Sequence, residues 1–332
     1  MQKLQNVVWG VIGAGKVCEK KSMPAMNKIP HSQVKTVMRR NKEACRDFAI
    51  RHHISNWTLD SNKIFNDPDI NAVYISTPPD THALYTIKAA QAGKAVYVEK
   101  PMARDHRECL SMISACEKAN VPLFVAYYRR ALPHFLRIKE LLEQGKLGQV
   151  KSVQIHFNRS PQSDEIKYPE KIWRLQPKIS GGGHFHDLAS HQLDLMDFLF
   201  GPIIDVKGKA ENIAGLYQVA DTVKADFVFQ NGIVGSGTWD FVSSEPDVKD
   251  EITIFGSEGE LNFSTFAHAR IEGVSVSMGQ ISEEMILPQH IQEPLIRSIV
   301  SELRGEGKCP STGETAARTN QVMELICSKE LQ

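Results

Sequence analysis

Apolar positions in the first 130 or so residues fall into short continuous runs, and the stretches between them repeat at helical spacing. "VVWGVIGAG" predicts a strand closing in a glycine turn. "SQVKTVM", "AVYISTPP", "AVYVEKP" and "PLFVAYY" predict four more strands. Between them, "THALYTIKAAQAGK" and "RDHRECLSMISACEKAN" read as amphipathic helices. Such strand–helix alternation predicts an α/β domain, a doubly wound parallel sheet with helices on both faces. Beyond that point the pattern changes. One helix, "HFLRIKELLEQGKLG", leads into longer strands with few helices between them. "VKSVQIHFN", "DTVKADFVFQNGIVGSGTWDF" and "DEITIFGSEGELNFS" carry period-two stretches, and "FQNG" is an Asn-Gly hairpin signal. This half predicts an α+β domain on an antiparallel sheet. The expected domains are residues 1–128 and 129–332. A capping box, Ser311 with Glu314, predicts the start of a last helix over "TAARTNQVMELICSKEL".

Composition narrows the class. The chain has 332 residues, and its 39 basic and 39 acidic side chains balance, so nothing favours a nucleic-acid partner. No apolar run approaches the length of about 18 residues that a membrane helix needs, and no leader pattern opens the chain. The six cysteines (18, 45, 109, 116, 309 and 327) are scattered without a C-x-x-C pair, which reads as reduced thiols in a cytoplasm. Cys109 and Cys116 share a predicted helix, where packing is the default role.

Chemistry enters at the strand ends. A turn such as Gly13-Ala14-Gly15, continued by Lys16 and Val17, lets backbone amides approach a pyrophosphate at a helix N-terminus. The third glycine of the full fingerprint is replaced by Cys18, a small residue at a position that governs helix–strand packing. The second strand ends "VMRRN". Where an NAD site offers an acid to the ribose 2′-hydroxyl, Arg39 and Arg40 stand instead, and arginine accommodates a 2′-phosphate. NADP(H) is therefore favoured over NAD(H). Ser76, Thr77 and Pro78 follow the third strand, where doubly wound folds bind ligands, and His82 fits a cofactor-site or a helix-cap role. Glu99 and Lys100 end the fourth strand; Tyr128 and Arg130, which end the fifth, are candidates for substrate contact. In the second half, three glycines precede a helix carrying Asp187 and His191 one turn apart on one face. An acid there biases an imidazole suited to proton transfer near neutrality.

"GVIGAG", "ISTPPDTHA", "EKPMA", "WR…SGGG" and "D-x-x-x-H-x-x-D" occur in order and at the right distances. With them the chain resembles, along nearly its whole length, the glucose–fructose oxidoreductase and inositol dehydrogenase superfamily. The resemblance implies a Rossmann domain followed by a domain built on an open, mostly antiparallel sheet. The exposed face of that sheet would mediate a homodimer or homotetramer. It implies catalytic roles for Lys100, Asp187 and His191, a cis Lys100–Pro101 peptide, and a place beside the cleft for Trp173 and Arg174. Two departures stand out: Cys18 replaces the usual alanine or serine, and the D-x-G-x-H pattern reads D-L-A-S-H.

His184, His186, Asp187 and His191 also invite a metal reading. His186 points away from the face His184 and His191 could share, and no second acidic cluster is evident, so no metal is expected. His184 is instead a candidate substrate contact. The expected function is hydride transfer between NADP(H) and a secondary alcohol or ketone of a sugar, cyclitol or derivative. A redox-neutral glycosidase using the same cofactor, and a cofactor-sensing regulator, are the alternatives.

Overall fold

Period-two and continuous apolar runs sort the strands into two sheets of different character. The computed structural model describes residues 3–244 and 248–328. The outer bounds of the two expected domains, residues 1 and 332, lie outside the described residues, as do residues 329–331 of the expected last helix. The chain divides into two compact units, Met1–Ala131 with Pro288–Ala317, and Leu132–Leu287 with Arg318–Gln332.

The first unit holds β1 (Val7–Ile12), β2 (Ser32–Met38), β3 (Asn56–Thr58), β4 (Ala72–Ile75), β5 (Ala95–Val98) and β6 (Leu123–Val125). Their order is β3-β2-β1-β4-β5-β6, with every pairing parallel. This is the doubly wound order in which the chain reverses direction beside β1. Every residue of β4 and β5 is buried, as expected of strands covered on both faces. Helices His82–Gln91 and His106–Lys118 bury Ala89, Ala90, Cys109, Met112 and Cys116 in the same core as Val73, Val96 and Val98. Cys109 and Cys116 thus pack, as their spacing predicts. The sequence pattern misses β3, which has only three residues.

Residues 288–317 group with this unit, although the sequence places them in the second domain. The physical ties are specific. Tyr97 Oη donates to Gln292 Oε1 at 2.8 Å, Phe124 bridges to Thr312, and Ala316 and Ala317 enter the core. The expected capping box gives way for the same reason. Ser311 is fully buried and donates to the Val125 carbonyl, so Thr312 and Thr315 exchange the capping bonds at the start of helix Gly313–Cys327.

The second unit holds β7 (Val150–Asn158), β8 (Ile203–Glu211), β9 (Thr222–Phe229), β10 (Val234–Asp240), β11 (Lys249–Gly256), β12 (Gly259–Phe263), β13 (Arg270–Ser275) and β14 (Gly279–Glu284). They form one sheet in the order β14-β13-β12-β11-β7-β10-β9-β8. Only the β7–β10 pair is parallel. Residues alternate between buried and solvent-facing along β7 and β9, so one face of the sheet carries the core. Asn231-Gly232 lies at the tip of the β9–β10 hairpin, as its sequence predicts. Among the described residues no helix is long and apolar enough to cross a membrane.

Candidate active site

In the first unit, the glycine turn is anchored to both neighbouring strands. Gly13 N and Ala14 N donate to the carbonyl of Met38 at 3.0 and 3.2 Å, and Ser76 Oγ donates to the Gly13 carbonyl at 2.8 Å. Gly13 has φ +95°, and a Cβ there would lie 2.8 Å from the backbone of Ser76 and Thr77. Only glycine fits that approach. A Cβ at Gly15 would meet nothing closer than 3.7 Å, which leaves its backbone open to a ligand, as a dinucleotide cradle requires. Lys16 and Val17 open the helix over residues 16–26, whose Cys18–Ser22 stretch is wound as a π-helix. Cys18 is fully buried, and burial pushes its thiol up to about 12, so it serves packing. Arg39 directly follows the Met38 carbonyl that holds the turn; it is half-buried, and Arg40 is exposed.

His82 is fully buried. Its Nε2 lies 2.8 Å from the Thr77 carbonyl, and its Nδ1 lies 3.1 and 3.2 Å from the carbonyls of Pro101 and Met102. Burial lowers its pKa. The ring therefore braces the Thr77–Pro78 loop against the loop after β5. The Lys100–Pro101 peptide is cis. Glu99, also buried, accepts from Tyr74 Oη and Gln292 Nε2 at 2.7 Å through Oε1, and from the Lys100 backbone N at 3.3 Å through Oε2. Its carboxylate thus holds the Lys100 backbone from inside the unit. Tyr128 is buried under the Lys21 and Arg129 cations, 5.8 and 5.0 Å from its ring centroid. Burial alone would raise this phenol, yet the charges of Arg129, Lys21 and Lys100 bring it below its ordinary value. Arg130 is buried and donates to the Pro310 carbonyl at 3.3 Å, an internal tie.

Tyr74, Tyr97 and Gln292 complete this network and escape sequence reasoning. The tyrosine rings stack with centroids 4.8 Å apart. A signal for the pair does exist in the sequence: "AVYI" and "AVYV" repeat, and the fold pairs Tyr74 with Tyr97 in register.

In the second unit, Asp187 and His191 lie on one continuous helix over residues 183–200. The spacing predicts an ordinary α-helical turn between them, but Phe185–Ala189 is wound as a π-helix, a feature common at functional sites. Asp187 Oδ2 accepts from Arg174 Nε at 2.8 Å, and the guanidinium sits 4.5 Å over the Trp173 ring. Trp173 and Arg174 therefore gather around Asp187. His191 is 4% exposed. His184 has a different neighbourhood: its Nε2 lies 3.1 Å from Glu165 Oε1, with Arg159 on the other carboxylate oxygen. Burial would raise Glu165, but hydrogen bonds from His184 and the Gln162 backbone and the Arg159 charge hold it down at about 2. His186 is buried and pushed down to about 4 by that burial. Among the described residues, no three His, Cys, Asp or Glu side chains gather as a metal site.

Comparison with known proteins supplies the family. Residues 7–127 match an oxidoreductase family with an NAD-binding Rossmann fold, and residues 135–262 match the GFO/IDH/MocA C-terminal domain. An oxidoreductase of Formosa agariphila is 39% identical over 97% of this chain and 98% of its own length. A scyllo-inositol 2-dehydrogenase (NADP(+)) of Bacillus subtilis is 29% identical over 67% of this chain and 59% of its own. Among solved structures, a levoglucosan dehydrogenase in complex with NADH superposes with a TM-score of 0.86 at 25% identity, covering 97% of this chain and 96% of that one. With both family matches and a relative aligned over nearly the full length, the chain belongs to the GFO/IDH/MocA family of NAD-binding oxidoreductases.

Proposed function

We propose that the chain transfers a hydride between a nicotinamide dinucleotide and a secondary alcohol or ketone of a sugar, cyclitol or derivative. The observation that carries this reading is the placement of Lys100. It follows β5 by two residues, its backbone is held by Glu99, its charge acts on the Tyr128 phenol, and the same unit presents the open glycine turn. The substrate class follows the relatives, among them a levoglucosan dehydrogenase, a 1,5-anhydro-D-fructose reductase and a scyllo-inositol 2-dehydrogenase.

The nicotinamide, when bound, supplies the hydride acceptor or donor. Backbone amides of Gly13, Ala14, Gly15, Lys16 and Val17 would hold its pyrophosphate, with Ser76, Thr77 and Pro78 at the adjacent strand end. Arg39 and Arg40 favour the 2′-phosphate of NADP(H). In the oxidation direction the His191 imidazole takes the hydroxyl proton. Lys100 Nζ donates a hydrogen bond to the same oxygen and stabilises its developing negative charge. Asp187, oriented by Arg174, positions substrate or imidazole. Reduction reverses these steps. We assign the protein to the cytoplasm and to a homodimer or homotetramer. Ile204, Val234 and Val274, all exposed on strands of the second sheet, support such an interface.

The test is net turnover. Levoglucosan, scyllo-inositol and 1,5-anhydro-D-fructose are each mixed with the protein and NADP(H) or NAD(H), and absorbance at the reduced-nicotinamide band is followed. One mole of cofactor changing redox state per mole of product is the expected result. Glycoside cleavage without net cofactor turnover would replace this reading with the redox-neutral one.

A further inference from the structure

One carboxylate in the second unit organises a loop that the sequence gives no reason to notice. Asp250, on β11, accepts through Oδ2 from Ser264 Oγ and from the backbone N of Phe266 and Ala267, and through Oδ1 from Thr265 N. Ser264 Oγ in turn accepts from Phe266 N at 3.2 Å and Ala267 N at 2.7 Å. The same carboxylate lies 3.5 Å from Gln192 Nε2, and Gln192 Oε1 accepts from Trp239 Nε1 at 2.6 Å. Gln192 is the residue after His191. The loop and the histidine's helix are therefore fixed at one point.

What the clamp holds in place is a phenyl ring. Phe266 meets the His191 imidazole edge to face, with centroids 5.9 Å apart, and meets Phe157 at 5.5 Å. His191 and Phe157 are each 4% exposed, whereas Phe266 is 36% exposed. A single exposed phenylalanine means little by itself. This one is different because a convergent set of charge-assisted hydrogen bonds fixes its backbone, and its ring is open to solvent beside the proposed base.

We propose that Phe266 is the apolar wall of the substrate site and that Asp250 is the positioning residue that sets it there. Sugars and cyclitols carry faces of C–H groups between their hydroxyls. Such a face gains dispersion contacts on an aromatic ring, and the ring keeps water from the imidazole while the hydroxyl proton moves. The inference rests on the hydride-transfer reading and adds a specificity determinant to it.

The test is calorimetric titration of the protein loaded with the cofactor form that cannot react, NADPH for levoglucosan and scyllo-inositol and NADP+ for 1,5-anhydro-D-fructose. For whichever compound binds, Phe266→Ala weakens affinity by about tenfold, an effect of the size an aromatic contact supplies. Phe266→Tyr and Phe266→Trp restore it to within about twofold. NADP(H) affinity and the thermal midpoint stay at wild-type values in all three. Asp250→Asn raises KM more than it lowers kcat. Undiminished sugar affinity in Phe266→Ala, or no restoration by tyrosine and tryptophan, overturns the wall while leaving the hydride-transfer reading intact. If the wild-type protein binds none of the three compounds, the sugar reading itself fails and takes this inference with it.

Discussion

At position 39 the sequence puts a cation where an NAD site commonly puts an acid, and Arg39 follows directly on the carbonyl that holds the glycine turn. A guanidinium there attracts a 2′-phosphate; a carboxylate would repel it. Arg39→Asp should therefore weaken NADP(H) binding by about 1–3 kcal/mol and leave NAD(H) much less affected. Fluorescence titration with both reduced cofactors checks this, and equal losses would contradict the assignment. Arg39, Lys100 and Asp187 stand out as candidates in the sequence because each sits at a strand end or beside a glycine or proline signal. Histidine partners do not. "GGGHFHD" reads as a cluster, yet His184 pairs with Glu165, a residue well upstream that no local spacing connects to it.

Strands β4, β5 and β7 match their predicted runs because burial on two faces, or on one, writes a distinct apolar pattern. β8 and β14 escaped, since "IIDVKGKAE" and "GQISEE" are largely exposed and polar. The two π-helical stretches, Cys18–Ser22 and Phe185–Ala189, were illegible as well, because winding depends on packing and not on residue periodicity. Each lies on a helix that carries a candidate site residue. Gly13→Ala would force a Cβ into the Ser76–Thr77 backbone at a positive φ, at a cost of about 1–3 kcal/mol. Both the denaturation midpoint and cofactor affinity should fall. A variant unchanged in both would mean that the turn is not the close-packed cradle described.

The molecule as a whole should be sensitive to acid in two steps. His186 is neutral and buried, its folded pKa about 4 against an ordinary 6.5. Across that window the unfolded chain binds the proton more tightly, so stability is present above pH 6.5 and drains as pH falls toward 4. The total is about 3 kcal/mol. Glu165 adds a second window. Its folded pKa is about 2 against an ordinary 4.5, so its contribution is present above pH 4.5 and disappears as pH falls toward 2. Urea midpoints measured from pH 7 to pH 3 should fall throughout. His186→Phe, which keeps a ring in the same place, should flatten the upper window. A wild-type midpoint that is level from pH 6.5 to 4.5 would contradict the buried neutral imidazole.

The central claim is that Lys100 and His191 serve one reacting oxygen, and paired turnover and cofactor titrations test it most directly. His191→Ala should lower turnover by about 10² to 10⁴-fold, the usual cost of a lost general base. Lys100→Met keeps the stem and removes the charge, and a comparable loss is expected. Because both groups act on the same atom, the double variant should fall well short of the summed losses. NADP(H) affinity should remain near the wild-type value in His191→Ala. Near-normal turnover in both single variants, with cofactor binding intact, would contradict the account and favour a cofactor-sensing regulator.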